Sequence, residues 1–83
     1  MYNLFLSKEA EYFLRKLDNS VKKRILSKFD SLKENPELGK PLTANLSGLW
    51  SLRIGDYRVL YQKRDNELLI IVLKIGHRKN IYG

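Results

Sequence analysis

Leu46-Ser47-Gly48-Leu49-Trp50-Ser51-Leu52-Arg53-Ile54-Gly55-Asp56-Tyr57-Arg58-Val59-Leu60-Tyr61-Gln62 is the stretch whose reading decides the fold. Two runs rich in branched and aromatic residues flank Gly55-Asp56, and a Gly-X pair marks a two-residue primed turn. The stretch predicts a β-hairpin. Counting outward from the turn sets Ile54 opposite Tyr57, Arg53 opposite Arg58 and Leu52 opposite Val59. Side chains alternate between faces along a strand, so Leu52, Ile54, Tyr57 and Val59 share a core face. Arg53 and Arg58 then project together from the other face. Like charges directly opposite each other destabilise a sheet by up to about 1 kcal/mol. Two readings of the pair are open: two planar forks aimed at one anion, or two side chains that splay into water.

On the C-terminal side, Arg64-Asp65-Asn66 reads as the next turn. It leads into Leu68-Leu69-Ile70-Ile71-Val72-Leu73, a nearly continuous apolar run over residues 67–75. Such a run predicts a strand buried on both faces, near the centre of a sheet. On the N-terminal side, residues 2–6 predict a short strand. Ser7 is a suitable N-cap for a helix that buries Ala10, Phe13, Leu14 and Leu17. Asp18-Asn19-Ser20 breaks that helix. Val21, Ile25, Phe29 and Leu32 then form the apolar stripe of a second helix, ended by Glu34-Asn35-Pro36. Residues 35–47 predict a loop. The order gives an α+β fold in one domain over residues 1–83. It has an N-terminal strand, a two-helix antiparallel hairpin and an antiparallel three-strand meander, with the helices on one sheet face. The other face is expected to be partly open and concave, since sheets twist.

Composition narrows the function classes. The 83 residues contain no cysteine, which removes a disulfide framework, a thiol nucleophile and most zinc or iron–sulfur sites. One histidine and scattered acids do not suggest a metal cage, and no small-molecule cofactor is expected. No apolar run approaches the ~18 residues of a membrane span, and residues 1–9 lack the pattern of a signal peptide. A cytoplasmic protein with no membrane partner is expected. Sixteen basic against nine acidic residues give a net charge of +7, which favours nucleic acid or an acidic protein as partner. Much of the positive charge falls on the outer helix faces, Lys22 and Lys23 included, where an ordinary solvated surface is the alternative.

The apolar strand is followed by Gly76, then His77, Arg78 and Tyr82. If it pairs beside the hairpin, these groups can converge with Arg53 and Arg58 on the open face. Such a set suits metal-independent RNA cleavage, in which the 2′-hydroxyl attacks phosphorus and the 5′-oxygen leaves. That reaction needs a base, an acid and positive charge for a dianionic phosphorane. Arginines bind phosphate bidentately, histidine exchanges protons near neutral pH, and tyrosine stacks on bases. The plainer alternatives are a polar residue ending a strand for His77 and an aromatic covering the core for Tyr82.

Four fragments in order carry a resemblance. They are Gly39-Lys40-Pro41-Leu42, Leu46-Ser47-Gly48-Leu49-Trp50-Ser51-Leu52-Arg53, Gly55-Asp56-Tyr57-Arg58-Val59-Leu60-Tyr61 and Ile75-Gly76-His77-Arg78-Lys79-Asn80-Ile81-Tyr82. The chain resembles the RelE/ParE toxin superfamily, and within it the RelE type, over essentially its whole length. The resemblance implies a microbial RNase-like fold and an endoribonuclease (mRNA interferase) that cuts mRNA in the ribosomal A site. It implies a RelB-type antitoxin, the ribosome and mRNA as partners. Arg53 matches the basic position that contacts the scissile phosphate. Arg58 matches the transition-state arginine, Arg78 the arginine near the leaving oxygen, and Tyr82 the tyrosine that stacks on the substrate base. His77 occupies a lysine-or-histidine position. Lys22, Lys23, Lys40 and Lys79 are the expected RNA and ribosome contacts. Ser51 departs from the pattern, standing where relatives have a second lysine, the expected base. That makes His77 the candidate for proton transfer and implies reduced activity. The rival readings are a ParE-type DNA gyrase inhibitor on the same fold and a catalytically weak module that binds antitoxin or nucleic acid.

Overall fold

The structure is a computed structural model, and it describes residues 1–79. The order of elements is β1 (Asn3–Leu6), α1 (Lys8–Arg15), α2 (Asn19–Glu34), β2 (Lys40–Pro41), β3 (Trp50–Ile54), β4 (Tyr57–Arg64) and β5 (Leu69–His77). Short 3-10 turns at Ala44–Leu46 and Asp65–Glu67 precede β3 and β5. The five strands form one mixed sheet in the order β1-β5-β4-β3-β2. β1 runs parallel to β5, and every other pair is antiparallel. The α+β class and the helical hairpin are as the sequence predicts.

The hairpin has the counted register: Ile54 pairs with Tyr57, Arg53 with Arg58 and Leu52 with Val59. Gly55 adopts φ +61°, a conformation that a primed turn requires and that L-residues disfavour. Ser7 caps α1 as expected. Its hydroxyl accepts from the Ala10 N–H at 3.0 Å and donates to the Leu73 carbonyl at 2.8 Å, which ties the helix start to β5. Ala10 and Leu14 of α1 and Ile25, Phe29 and Leu32 of α2 pack on Leu52, Ile54, Val59, Tyr61, Ile70, Val72 and Ile75 of the sheet. Both helices thus cover one sheet face, and no helix among the described residues covers the other.

Two expectations are corrected. Residues 35–47 are not wholly loop, because Lys40 and Pro41 pair with Ser51 and Trp50 as a fifth, edge strand. The apolar run of β5 is not buried on both faces. Ile70, Val72 and Ile75 are buried beneath the helices, whereas Leu69, Ile71 and Leu73 stay half-exposed on a face that no helix covers. β5 also carries an irregularity. Leu60 pairs with Lys74 but Tyr61 pairs with Val72, so Leu73 has no opposite residue. A bulge of this kind shifts the alternation by one residue. It brings Lys74 beside Leu60 and Ser51, on the open face.

Candidate functional site

The open face is built by counting. Cross-strand partners in an antiparallel pair share a face. One row across the sheet is therefore Lys40, Ser51, Leu60 and Lys74. The next is Arg53, Arg58 and Gly76. Four cations thus sit in two adjacent rows that contain no acid. Among the described residues, every ion pair joins other groups: Arg15–Glu11, Lys33–Asp30, Lys63–Glu37, Lys63–Asp65 and Arg64–Glu67. A surface with this balance attracts anions, and paired guanidinium forks match phosphate geometry.

Each arginine is held by a neighbour. Arg58 is half-buried, and its Nη1 donates to Ser51 Oγ at 3.5 Å. Ser51 itself is only 5% exposed. Arg53 is exposed, and its Nε donates to the Gly55 carbonyl at 3.4 Å. Leu38, Gly39, Lys40, Ser51, Leu52, Arg53 and Arg58 line a cleft of about 380 Å³. That falls within the range of small-ligand sites, roughly 300–1,000 Å³.

The far wall of the cleft is the segment from Pro36 to Lys40, fixed by Tyr61. The Tyr61 hydroxyl donates to the Pro36 carbonyl at 2.7 Å and accepts from the Gly39 N–H at 3.1 Å. Burial raises the Tyr61 pKa, which keeps the phenol protonated as a donor. A Cβ at Gly39 would lie 2.6 Å from the Ser51 carbonyl oxygen and 2.8 Å from the Tyr61 hydroxyl, so glycine alone permits this close approach.

The expected residues do not all converge. Arg53, Arg58 and Lys40 share the cleft. His77 does not join them in this arrangement. Gly76 pairs with Arg58, so the next residue points to the opposite face, where His77 pairs with Tyr57. The His77 ring meets the Tyr57 ring edge-on with centroids 5.9 Å apart, and Tyr57 in turn meets Phe13 of α1 at 6.2 Å. The expectation that His77 shares the open face is corrected by this parity. Arg78 is exposed in the turn after β5, and its N–H donates to the Asp56 carbonyl at 2.9 Å, pinning the strand exit to the hairpin turn. Lys79 is exposed, and its N–H donates to His77 Nδ1 at 3.3 Å. Lys22 Nζ donates to the Arg15 carbonyl at 3.3 Å and so caps α1, whereas Lys23 is exposed. Tyr82 lies outside the described residues.

Sequence reasoning passed over Lys74 and Leu38. Alternation counted back from Gly76 puts Lys74 on the open face. Counted forward from the apolar run, the same residue falls in the core, and the bulge decides between them. Leu38 carried no signal, because it looks like any loop leucine until the loop is folded against Arg58.

A small mixed sheet with helices on one face and a cationic cleft that, among the described residues, holds no ion pair defines the class: a basic α+β protein. The family model described as the ParE toxin of the type II toxin–antitoxin system parDE matches residues 4–82. The chain belongs to this family and is a type II toxin of the RelE/ParE superfamily. Toxin RelG of Mycobacterium tuberculosis is 40% identical over 55 residues, 65% of this chain and 63% of RelG, so the chain spans less than two thirds of that relative. Toxin YoeB of Synechocystis is 32% identical over 77 residues, 92% of this chain and 85% of YoeB. The crystal structure of the toxin–antitoxin complex RelBE2 from Mycobacterium tuberculosis matches with a TM-score of 0.85 at 31% identity, covering 95% of this chain and 93% of that one.

Proposed function

We propose that the chain is a cytoplasmic endoribonuclease that cuts mRNA in the ribosomal A site and is neutralised by a RelB-type antitoxin. The observation that carries this reading is the pairing of Arg53 and Arg58 in a row that, among the described residues, holds no acid. Two guanidinium groups there bind the scissile phosphodiester. Their charge is worth more as the phosphorane develops than in the ground state, which is the condition for catalysis. Ser51 orients Arg58 through the 3.5 Å contact, and Lys40 extends the positive wall. By the resemblance, Arg78 acts at the leaving oxygen and Tyr82 stacks on the substrate base. The 2′-oxygen attacks phosphorus in line and gives its proton to water; the P–O5′ bond breaks and the 5′-oxygen takes a proton from water. The residues lining the cleft offer charge but include no imidazole or carboxylate, so transition-state charge stabilisation supplies most of the acceleration. A lower rate than in toxins with a lysine at the Ser51 position follows. The toxin–antitoxin complex with a matching fold supports the antitoxin partner.

Primer extension on a reporter mRNA in a translation extract tests the reading. Cleavage between codon positions by the wild type, lost in Arg58→Ala, is the expected result. Intact mRNA in both overturns it. A second reading is favoured by the description of the matching family model, which names the ParE toxin: a ParE-type inhibitor of DNA gyrase, as the resemblance allows. Inhibited supercoiling with translation intact would select it.

A further inference from the structure

We infer that Leu38 and the Gly39 peptide form a platform for the nucleobase attached to the phosphate held by Arg53 and Arg58. This rests on the ribonuclease reading and adds a second subsite to the same cleft. The cleft has two chemically distinct sides. One, on β3 and β4, is cationic, from Arg53 and Arg58. The other carries Leu38, an apolar side chain left 39% exposed although the core lies close by. A nucleotide has the same division, an anion joined through a sugar to a flat and largely apolar ring. Each base has such a face, so the platform holds a base without choosing which one.

The platform is built rather than incidental. Tyr61 grips the loop from both sides of Leu38, at the Pro36 carbonyl and the Gly39 N–H. The Leu38 N–H donates to the Asn35 carbonyl at 3.0 Å. Gly39 lies so close to Ser51 that no larger residue fits. Leu38 is therefore presented on a segment held on both sides, which limits the entropy lost when a base docks.

The test compares binding of two short single-stranded RNAs at low salt, one intact and one with a single abasic nucleotide, to the wild type, Leu38→Ala, Leu38→Met and Arg58→Ala. The abasic RNA keeps every phosphate and requires no change in the protein. The wild type is expected to hold the intact RNA roughly three- to tenfold more tightly, less than an aromatic platform gives. Leu38→Ala is expected to abolish that preference, and Leu38→Met to retain it. Arg58→Ala is expected to weaken both RNAs alike. A wild type without preference, or a preference that survives in Leu38→Ala, overturns the platform while the Arg58→Ala result still reports on the phosphate site. If Arg58→Ala binds both RNAs as tightly as the wild type, the ribonuclease reading fails and the platform with it.

Discussion

At the scale of single residues, Arg58 and His77 separate charge from proton transfer. Arg58 sits half-buried between Arg53 and Gly76, its fork touching Ser51. Removing one preorganised donor from a developing oxyanion costs about 3 kcal/mol, or 10²–10³ in rate. Arg58→Ala should therefore lose that factor in single-turnover cleavage on programmed ribosomes, at unchanged folding. His77 lies across the sheet, edge-on to Tyr57. His77→Ala should instead lower stability by about 0.5–1.5 kcal/mol, the worth of one aromatic edge contact, and leave cleavage within a few-fold. Urea titration and the same cleavage assay read the two effects separately. A loss of cleavage as deep as that of Arg58→Ala would place the imidazole among the reacting groups.

At the scale of elements, the segment between α2 and β3 shapes the cleft. Tyr61→Phe removes the donor to Pro36 and the acceptor for Gly39, leaving two loop groups unpaired. The expected loss is about 1–3 kcal/mol in chemical denaturation. Gly39→Ala should do similar damage through the clash with Ser51, since overpacking costs about 1–3 kcal/mol. Both variants should also weaken RNA binding. The hairpin that this loop packs on was legible in the sequence, because Gly55-Asp56 fixes the turn and parity does the rest. The Ser7 cap and the apolar stripes of α1 and α2 were legible for the same local reason. β2 was not, because two residues are too few to show a period and the pairing with Ser51 and Trp50 is a long-range event. The sidedness of β5 was hidden by its uniform apolarity, and the bulge at Leu73 cannot be counted before the strand has a partner. So Arg53 and Arg58 could be paired from the sequence alone. The position of His77 could not.

At the scale of the whole molecule, charge is sorted. Five of the nine acids, Glu11, Asp30, Glu37, Asp65 and Glu67, form ion pairs among the described residues, and Asp65 accepts from Lys63 at 2.7 Å and from Tyr2 at 2.7 Å. These hydrogen bonds, Lys63 first, hold the Asp65 carboxyl below the usual carboxylate range. A lowered folded pKa contributes stability above the unfolded value and loses it in acid. Thermal unfolding should therefore show stability falling below about pH 4, with a shallower fall in Asp65→Asn. Positive charge lies on the open sheet face and also on the exposed side of α2, where Lys23 and Arg24 lie. The sheet face is the proposed scissile-phosphate site, so the helix surface is free to hold ribosomal RNA by counterion release. Each phosphate contact contributes about 0.7–0.9 to the slope of log affinity against log salt. Lys23→Glu should then weaken ribosome binding and flatten that slope by about one contact, with stability unchanged. Lys22→Glu should do the same and also destabilise α1, since its ammonium caps the Arg15 carbonyl. Affinity measured across a salt series separates the two. If neither affinity nor slope moves in Lys23→Glu, the α2 lysines are an ordinary solvated face. Ribosome contact would then have to be carried by the sheet side alone, where binding the ribosome and holding the scissile phosphate would compete for the same arginines.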